Sequence, residues 1–421
     1  MRTKLSFLGA LVLGAFGGVL ATSCQTYDFE PVDPLAISQT TKSRRVVAKV
    51  SKPNLMLLVD KSASMTAPVN PSLPACKLSD GKVCGDSEQR PCNTAVCPTR
   101  WSELQGAMQD FLKSSGSLAR FGLATYPAGN SLNSCDPSSK VEVALPAASV
   151  EDVASLEKNA EDVKNAILAI KNSSTTGELV PRGGTPTSES LAFLGKLNEM
   201  QTGDRSDFVL LLTDGLPNCN RNFPTPAPSP DCFCTLSASC SAAPQIGCLD
   251  ANASVTAVQD LRNKEIQTIV IGFGADFDAS SESGRRGAET LNQMAVVGGF
   301  NRTCARDVDC GTGDTCDTAA GLCKRRFFQA SNRAELVSAL RDISNQILVQ
   351  EPCLFAFEDD SERPDSQELV VVYVDGERLS PGVDWSLTEE GISFAGATCE
   401  RLKNSTEATP VNVEVRTVQR R

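Results

Sequence analysis

The chain is predicted to fold as an α/β protein with a Rossmann-like, doubly wound, mostly parallel sheet. Short, continuous apolar runs at 55–59 and 208–212 suit strands buried on both faces. Between such runs lie segments whose apolar residues recur at helical spacing. The two kinds of segment alternate along the chain, the pattern of parallel strands joined by crossover helices.

Run 55–59 is the first strand of this central domain, which is expected to span 54–350. Trp101, Leu104, Met108 and Phe111 mark the helix that follows. Residues 120–125 read as a second strand. The alternating Val141, Val143 and Leu145 read as a half-exposed edge strand. Val153, Leu156, Val163 and Ile167 give another helix, with Ser149 placed to cap it. A helix is expected after Thr185, through Leu191 to Met200. Strand 208–212, helix 253–264, strand 267–271, helix 288–297 and strand 327–330 follow. Asn332 and Glu335 have capping-box spacing ahead of a helix lined by Leu336, Leu340, Ile343 and Ile347. Residues 351–421 then carry strand signals without helices: runs at 369–374 and 392–394, the turn Asp375-Gly376, and alternating Val411, Val413 and Val415. They predict a small all-β domain closed by a Cys353–Cys399 disulfide.

Composition narrows the function. A net charge of −11 with no long basic run argues against nucleic-acid binding and fits a protein that attracts cations. There is no histidine, so the commonest general base and every histidine-containing zinc site are excluded. No Gly-x-Ser-x-Gly elbow and no nucleophile–base pair is visible, so an enzyme is not expected.

Residues 1–23 read as a signal peptide: basic Arg2 and Lys4, an apolar stretch, then small residues. The run Leu20-Ala21-Thr22-Ser23-Cys24 resembles a bacterial lipobox, with Ala21 where that pattern usually has Leu. Cys24 would then carry a lipid; ordinary cleavage, leaving one odd thiol, is the alternative. Residues 24–53 read as a tether with a short strand at 46–50. The chain has 17 cysteines, and setting Cys24 aside leaves an even number, as an exported disulfide framework requires. Three cysteine-rich inserts interrupt the α/β pattern. Insert 66–100 carries Cys76, Cys84, Cys92 and Cys97. Insert 216–249 carries Cys219, Cys232, Cys234, Cys240 and Cys248, an odd group that Cys135 could complete. Insert 301–325 carries Cys304, Cys310, Cys316 and Cys323. The first quartet lacks the tight cysteine pairs of a zinc ribbon, and the aspartates at 307, 309, 314 and 317 lack EF-hand spacing, so disulfide loops are the stronger reading of both.

Three polar clusters carry the functional signal. Asp60-Lys61-Ser62-Ala63-Ser64 follows the first strand, Gly183-Gly184-Thr185 precedes a helix, and Thr213-Asp214-Gly215 ends another strand. Hydroxyls and carboxylates are the ligands of a hard cation. With this order and content the chain resembles the von Willebrand factor type A (vWA) domain with its metal-ion-dependent adhesion site. The resemblance covers 54–350 without the inserts. It implies that Ser62, Ser64 and Thr185 coordinate Mg²⁺, or Mn²⁺ or Ca²⁺, with Asp60 and Asp214 contributing directly or through water.

Loops that follow strands share one sheet edge. Inserts 66–100 and 216–249, and Cys135, are therefore expected beside the metal, and insert 301–325 at the opposite edge. The expected function is a lipid-anchored cell-envelope protein, at the outer membrane or cell surface. It would use its cation to bind a protein or glycan that offers a carboxylate. A structural or assembly scaffold of the envelope, its metal only stabilising the fold, is the second reading.

Overall fold

A computed structural model describes residues 39–46 and 52–418, apart from 131–133, 174–177, 204, 224–231, 236–239, 241–242, 275–276, 278–280, 312, 348–352, 357–363, 389–390, 404 and 406–409. The expected signal peptide at 1–23, Cys24 and most of segment 24–53 lie outside these residues. Among the described residues, no helix is long and apolar enough to cross a membrane.

The elements run β1 (Gln39–Val46), β2 (Asn54–Asp60), α1 (Arg100–Ser115), β3 (Arg120–Tyr126), α2 (Val153–Ala169), α3 (Thr187–Leu194), β4 (Asp207–Thr213), α4 (Pro244–Gly247), α5 (Ala251–Arg262), β5 (Ile266–Phe273) and α6 (Glu282–Gly298). After them come β6 (Cys316–Asp317), β7 (Leu322–Cys323), β8 (Phe328–Ala330) and α7 (Arg333–Ile347). The chain closes with β9 (Leu354–Ala356), β10 (Val370–Val374), β11 (Glu377–Arg378), β12 (Trp385–Leu387), β13 (Gly391–Phe394), α8 (Gly396–Lys403) and β14 (Val411–Val418).

The central sheet has the order β3-β2-β4-β5-β8, with every pair parallel. Alternate side chains of each strand face opposite sides. Leu55, Leu57, Val59, Leu210 and Leu212 pack under α1, α2 and α7. Met56, Leu58, Val209 and Leu211 pack under α3, α5 and α6. The sheet is therefore doubly wound, and the strands read as unbroken apolar runs because helices cover both faces. From β2 the chain winds outward to β3, and from β4 it winds the other way to β5 and β8. The reversal falls between β2 and β4, where open α/β sheets form their clefts.

The C-terminal segment, joined by β1, builds two antiparallel sheets, β1-β14-β10-β11 and β12-β13-β9, around their own apolar cluster. Trp385, Ile392, Val372 and Val413 are fully buried in it.

Several elements differ from their sequence expectations. A strand not expected from the sequence, Gln39–Val46, pairs residue by residue with β14, and the expected strand at 46–50 lies, beyond Val46, outside the described residues. Residues 141–145 form no strand; Val143 makes one isolated bridge to Leu123. There Glu142 turns its carboxylate onto the Thr125 N–H and hydroxyl, both at 3.1 Å, where a ladder would otherwise continue. Asp152, not Ser149, caps α2 by accepting from the Ser155 N–H at 2.9 Å. The helix after Thr185 stops at Leu194, and a separate turn of 3₁₀ helix spans Asn198–Met200. Helix α8 adds a helical element to the expected all-β segment. Its one fully buried apolar side chain is Leu402, too little to make a helical pattern legible.

Leu210 lies at the middle of β4 with no exposure. Leu210→Ala is expected to cost about 2–5 kcal/mol in denaturant-induced unfolding; a loss below about 1 kcal/mol would contradict a central, close-packed position.

Candidate metal centre

Asp60 ends β2 and Asp214 directly follows β4, the two strands that flank the winding reversal, and neither has any exposure. Buried carboxylates need hydrogen-bond partners, and both have them. Asp60 Oδ1 accepts from the Ser62 N–H at 2.8 Å, and its Oδ2 from the Thr213 hydroxyl at 2.8 Å. The Ser62 and Ser64 hydroxyls lie 3.0 Å apart, and Ser64 Oγ donates to Asp214 Oδ1 at 2.8 Å. Asp214 Oδ2 forms an ion pair with Arg100 at 2.8 Å.

The glycine-rich loop reaches the same place through its backbone. The Ala63 N–H donates to the Gly183 carbonyl at 3.0 Å, and the Arg182 N–H to the Lys61 carbonyl at 2.8 Å. Gly183 has φ +84, and a Cβ there would lie 2.4 Å from the Ser134 carbonyl oxygen, so this corner requires glycine. A Cβ on Gly184 would lie 2.4 Å from Cys219 Sγ. The Cys135–Cys219 disulfide thus packs directly on the residue before Thr185. Asn218 Oδ1 accepts from the Thr185 N–H at 2.7 Å. The added Cβ of a residue at Gly215 would sit 3.5 Å from Ser64 Oγ and 4.0 Å from Thr185 Oγ1, so both hydroxyls flank that glycine. Asp60, Ser62, Ser64, Thr185 and Asp214 therefore gather at one point of the sheet edge.

The electrostatics of this point are unbalanced. Burial first, and then the charge of Asp214, push the Asp60 carboxyl up to about 7, against the hydrogen bonds from Ser62 and Thr213. Two adjoining buried carboxylates, three hydroxyls and no thiolate form an all-oxygen donor set. Such a set fits a hard divalent cation such as Mg²⁺ or Mn²⁺, which would offset the burial and the repulsion that raise Asp60.

Sequence reasoning missed Arg100, Lys61 and Asn218. Arg100 carried a signal: it is the first residue of α1, where the helix dipole disfavours a cation. Lys61 is buried, donates to the Gly129 carbonyl at 3.0 Å, and has its ammonium lowered to about 8 by burial.

The cysteines pair as Cys76–Cys97, Cys84–Cys92, Cys135–Cys219, Cys232–Cys248, Cys234–Cys240, Cys304–Cys316, Cys310–Cys323 and Cys353–Cys399. Triplets of sulfur atoms lie close together in all three inserts, but each sulfur is spent in a disulfide and offers no thiolate for zinc. Insert 66–100 stands on the centre's rim, where Thr66 Oγ1 donates to the Gly85 carbonyl at 2.9 Å. Insert 301–325 begins just after Gly299, which bridges Thr268 near the start of β5, at the opposite sheet edge. Its acidic residues are spent locally: Asp309 accepts from the Ala305 and Arg306 N–H groups at 2.8 Å, and Asp314 pairs with Arg302 at 3.0 Å.

No protein-family model and no curated protein matches the sequence. Among solved structures, the chain is similar to the pilus adhesin SpaC from Lactobacillus rhamnosus GG, at 12% identity over 90% of this chain and 41% of that one, with a TM-score of 0.42. It is similar to a mutant PilB minor pilin from Streptococcus sanguinis, at 12% identity over 70% and 61% of the two chains, with a TM-score of 0.38. It is also similar to manganese-loaded TRAP protein from Plasmodium vivax, at 14% identity over 60% and 67%, with a TM-score of 0.29. The chain spans less than half the length of SpaC. Likenesses this low carry no function across.

Gly184→Ala is expected to cost about 1–3 kcal/mol by forcing Cys219 and Asn218 away from the loop; unchanged unfolding would mean that the loop is not held there. The Asp60 carboxyl sits above its ordinary value of 3.8, so the folded state holds more protons than the unfolded chain between there and about 7. Its contribution is therefore full below about 4 and is lost as pH rises to about 7. In EDTA the thermal midpoint is expected to fall across that window, and to fall less in Asp60→Asn. Equal slopes in the two proteins would rule out the coupling.

Proposed function

We propose that the chain is an exported binding protein of the vWA type that recognises an acidic group on a protein or glycan through a divalent cation. The observation that supports this most is the gathering of Ser62, Ser64 and Thr185 with two buried carboxylates at the winding reversal of the sheet. In this reading the three hydroxyls hold the ion, with Asp60 and Asp214 acting directly or through water. A bound Mg²⁺ or Mn²⁺ would supply a Lewis-acid position open to an external carboxylate. The chain's own residues orient the hydroxyls: Asp60 fixes the Ser62 backbone, Asp214 fixes Ser64, and Asn218 fixes the Thr185 backbone.

The central domain is taken as 54–350 and the small β-rich domain as 351–421. A signal peptide at 1–23, a lipid on Cys24 and a tether through 53 would place the protein at the outer membrane or cell surface. Eight disulfides favour an oxidising compartment. The rim inserts 66–100 and 216–249 would then select the partner. The scaffold reading is favoured by Arg100, which already neutralises Asp214 without any ion.

Pull-down from envelope extracts separates the two readings. Wild type, Asp60→Ala and Ser62→Ala are compared with and without EDTA. Partners captured only by wild type in Mg²⁺ are expected. Partners kept by both variants and in EDTA would favour the scaffold.

A further inference from the structure

Arg100 is held at the centre against the electrostatic preference of its own helix end. It opens α1 behind Thr99, which caps the helix: Ser102 N–H donates to Thr99 Oγ1 at 3.1 Å, and Thr99 N–H to Ser102 Oγ at 2.9 Å. With the cap supplied, the helix N-terminus has no need of a cation and repels one. Yet the Arg100 side chain is only 9% exposed, and its guanidinium reaches Asp214 Oδ2 at 2.8 Å and the Asp214 carbonyl at 3.4 Å. Space for it is cleared by Gly274, whose φ of +118 favours glycine and whose added Cβ would lie 3.1 Å from Arg100 Nε. The chain has placed a cation, a carboxylate and a glycine together from the start of α1 and the ends of β4 and β5.

We propose that Arg100 is a built-in counter-cation that sets how the centre divides its affinity between metal and partner. This rests on the metal reading above. Without Arg100, a divalent ion would meet two carboxylate charges and be neutralised by them. With Arg100 paired to Asp214, the ion meets a donor set of net charge near −1 and keeps about one unit of uncompensated positive charge. That charge is available to an external carboxylate. The cost is weaker metal binding, because Arg100 and the ion repel each other in a buried site where charges are poorly screened. Arg100 is thus a specificity-tuning residue that touches a ligand and not the partner.

Mn²⁺ binding is measured on the full chain by calorimetry for wild type, Arg100→Gln and Arg100→Lys, with Asp60→Ala as the blank. Acetate binding to the Mn²⁺-loaded proteins is measured in parallel. Arg100→Gln is expected to bind Mn²⁺ at least about ten-fold more tightly and acetate more weakly, while Arg100→Lys, which keeps the charge, stays close to wild type. Equal Mn²⁺ affinity, or equal acetate affinity, in wild type and Arg100→Gln would overturn the proposal and leave Arg100 a packing residue. If Arg100→Gln folds only when Mn²⁺ is added, that rescue is one cation replacing another and supports it. Failure to fold with Mn²⁺ as well would overturn it. A wild type that matches the Asp60→Ala blank would remove the metal reading itself, and this inference with it.

Discussion

Two carboxylates that must not repel each other govern this molecule. Asp60 and Asp214 sit at the ends of neighbouring parallel strands with no exposure to bulk solvent. Parallel neighbours cannot avoid the encounter, because the ladder puts Val59 beside Leu212 and brings both strand ends to the same level. Four nearby groups answer this constraint. Thr213 and the Ser62 backbone serve one carboxylate, and Ser64 and Arg100 serve the other. A hydrophobic pair at these positions would be simpler to fold. Two carboxylates in so buried a place set this sheet edge apart from the apolar core beneath it.

The elements around the parallel sheet hold that edge still. Helices on both faces fix β2 and β4, and the glycine loop is tied to the first strand end through two backbone hydrogen bonds. The Cys135–Cys219 bridge, joining residues 84 apart in sequence, closes against Gly184 and so ties two further loops to the same point. Rigid support of this kind is what a site with small, short-reaching hydroxyls needs, since serine and threonine cannot adjust by more than a bond rotation.

The strands around the centre were legible because burial on both faces leaves unbroken apolar runs that stop at the polar residues of the site. Asp60 and Asp214 could be read as strand ends for that reason. What escaped reading depends on partners distant in sequence. The strand Gln39–Val46 has no apolar alternation and is defined by its ladder with β14. Arg100 meets Asp214 across 114 positions, and no local pattern marks the pair. The cysteines could be grouped by the sheet edge they share, yet their pairing within each insert follows loop paths that spacing does not determine. The false edge strand at 141–145 has the right alternation, but the Glu142 side chain takes hydrogen bonds that a strand would have needed.

The pairing of β1 with β14 has a consequence for how the molecule is strung together. Segment 351–421 follows α7 along the chain, and the same segment is also gripped by a strand that enters β2. The two parts are therefore linked twice, once by the peptide after α7 and once by an eight-residue ladder attached to the peptide before β2. A double connection closes a ring, and a ring restricts swivel as a single hinge does not. Scission of either peptide alone would leave the halves joined, so a tug at the N-terminus would be shared between two routes.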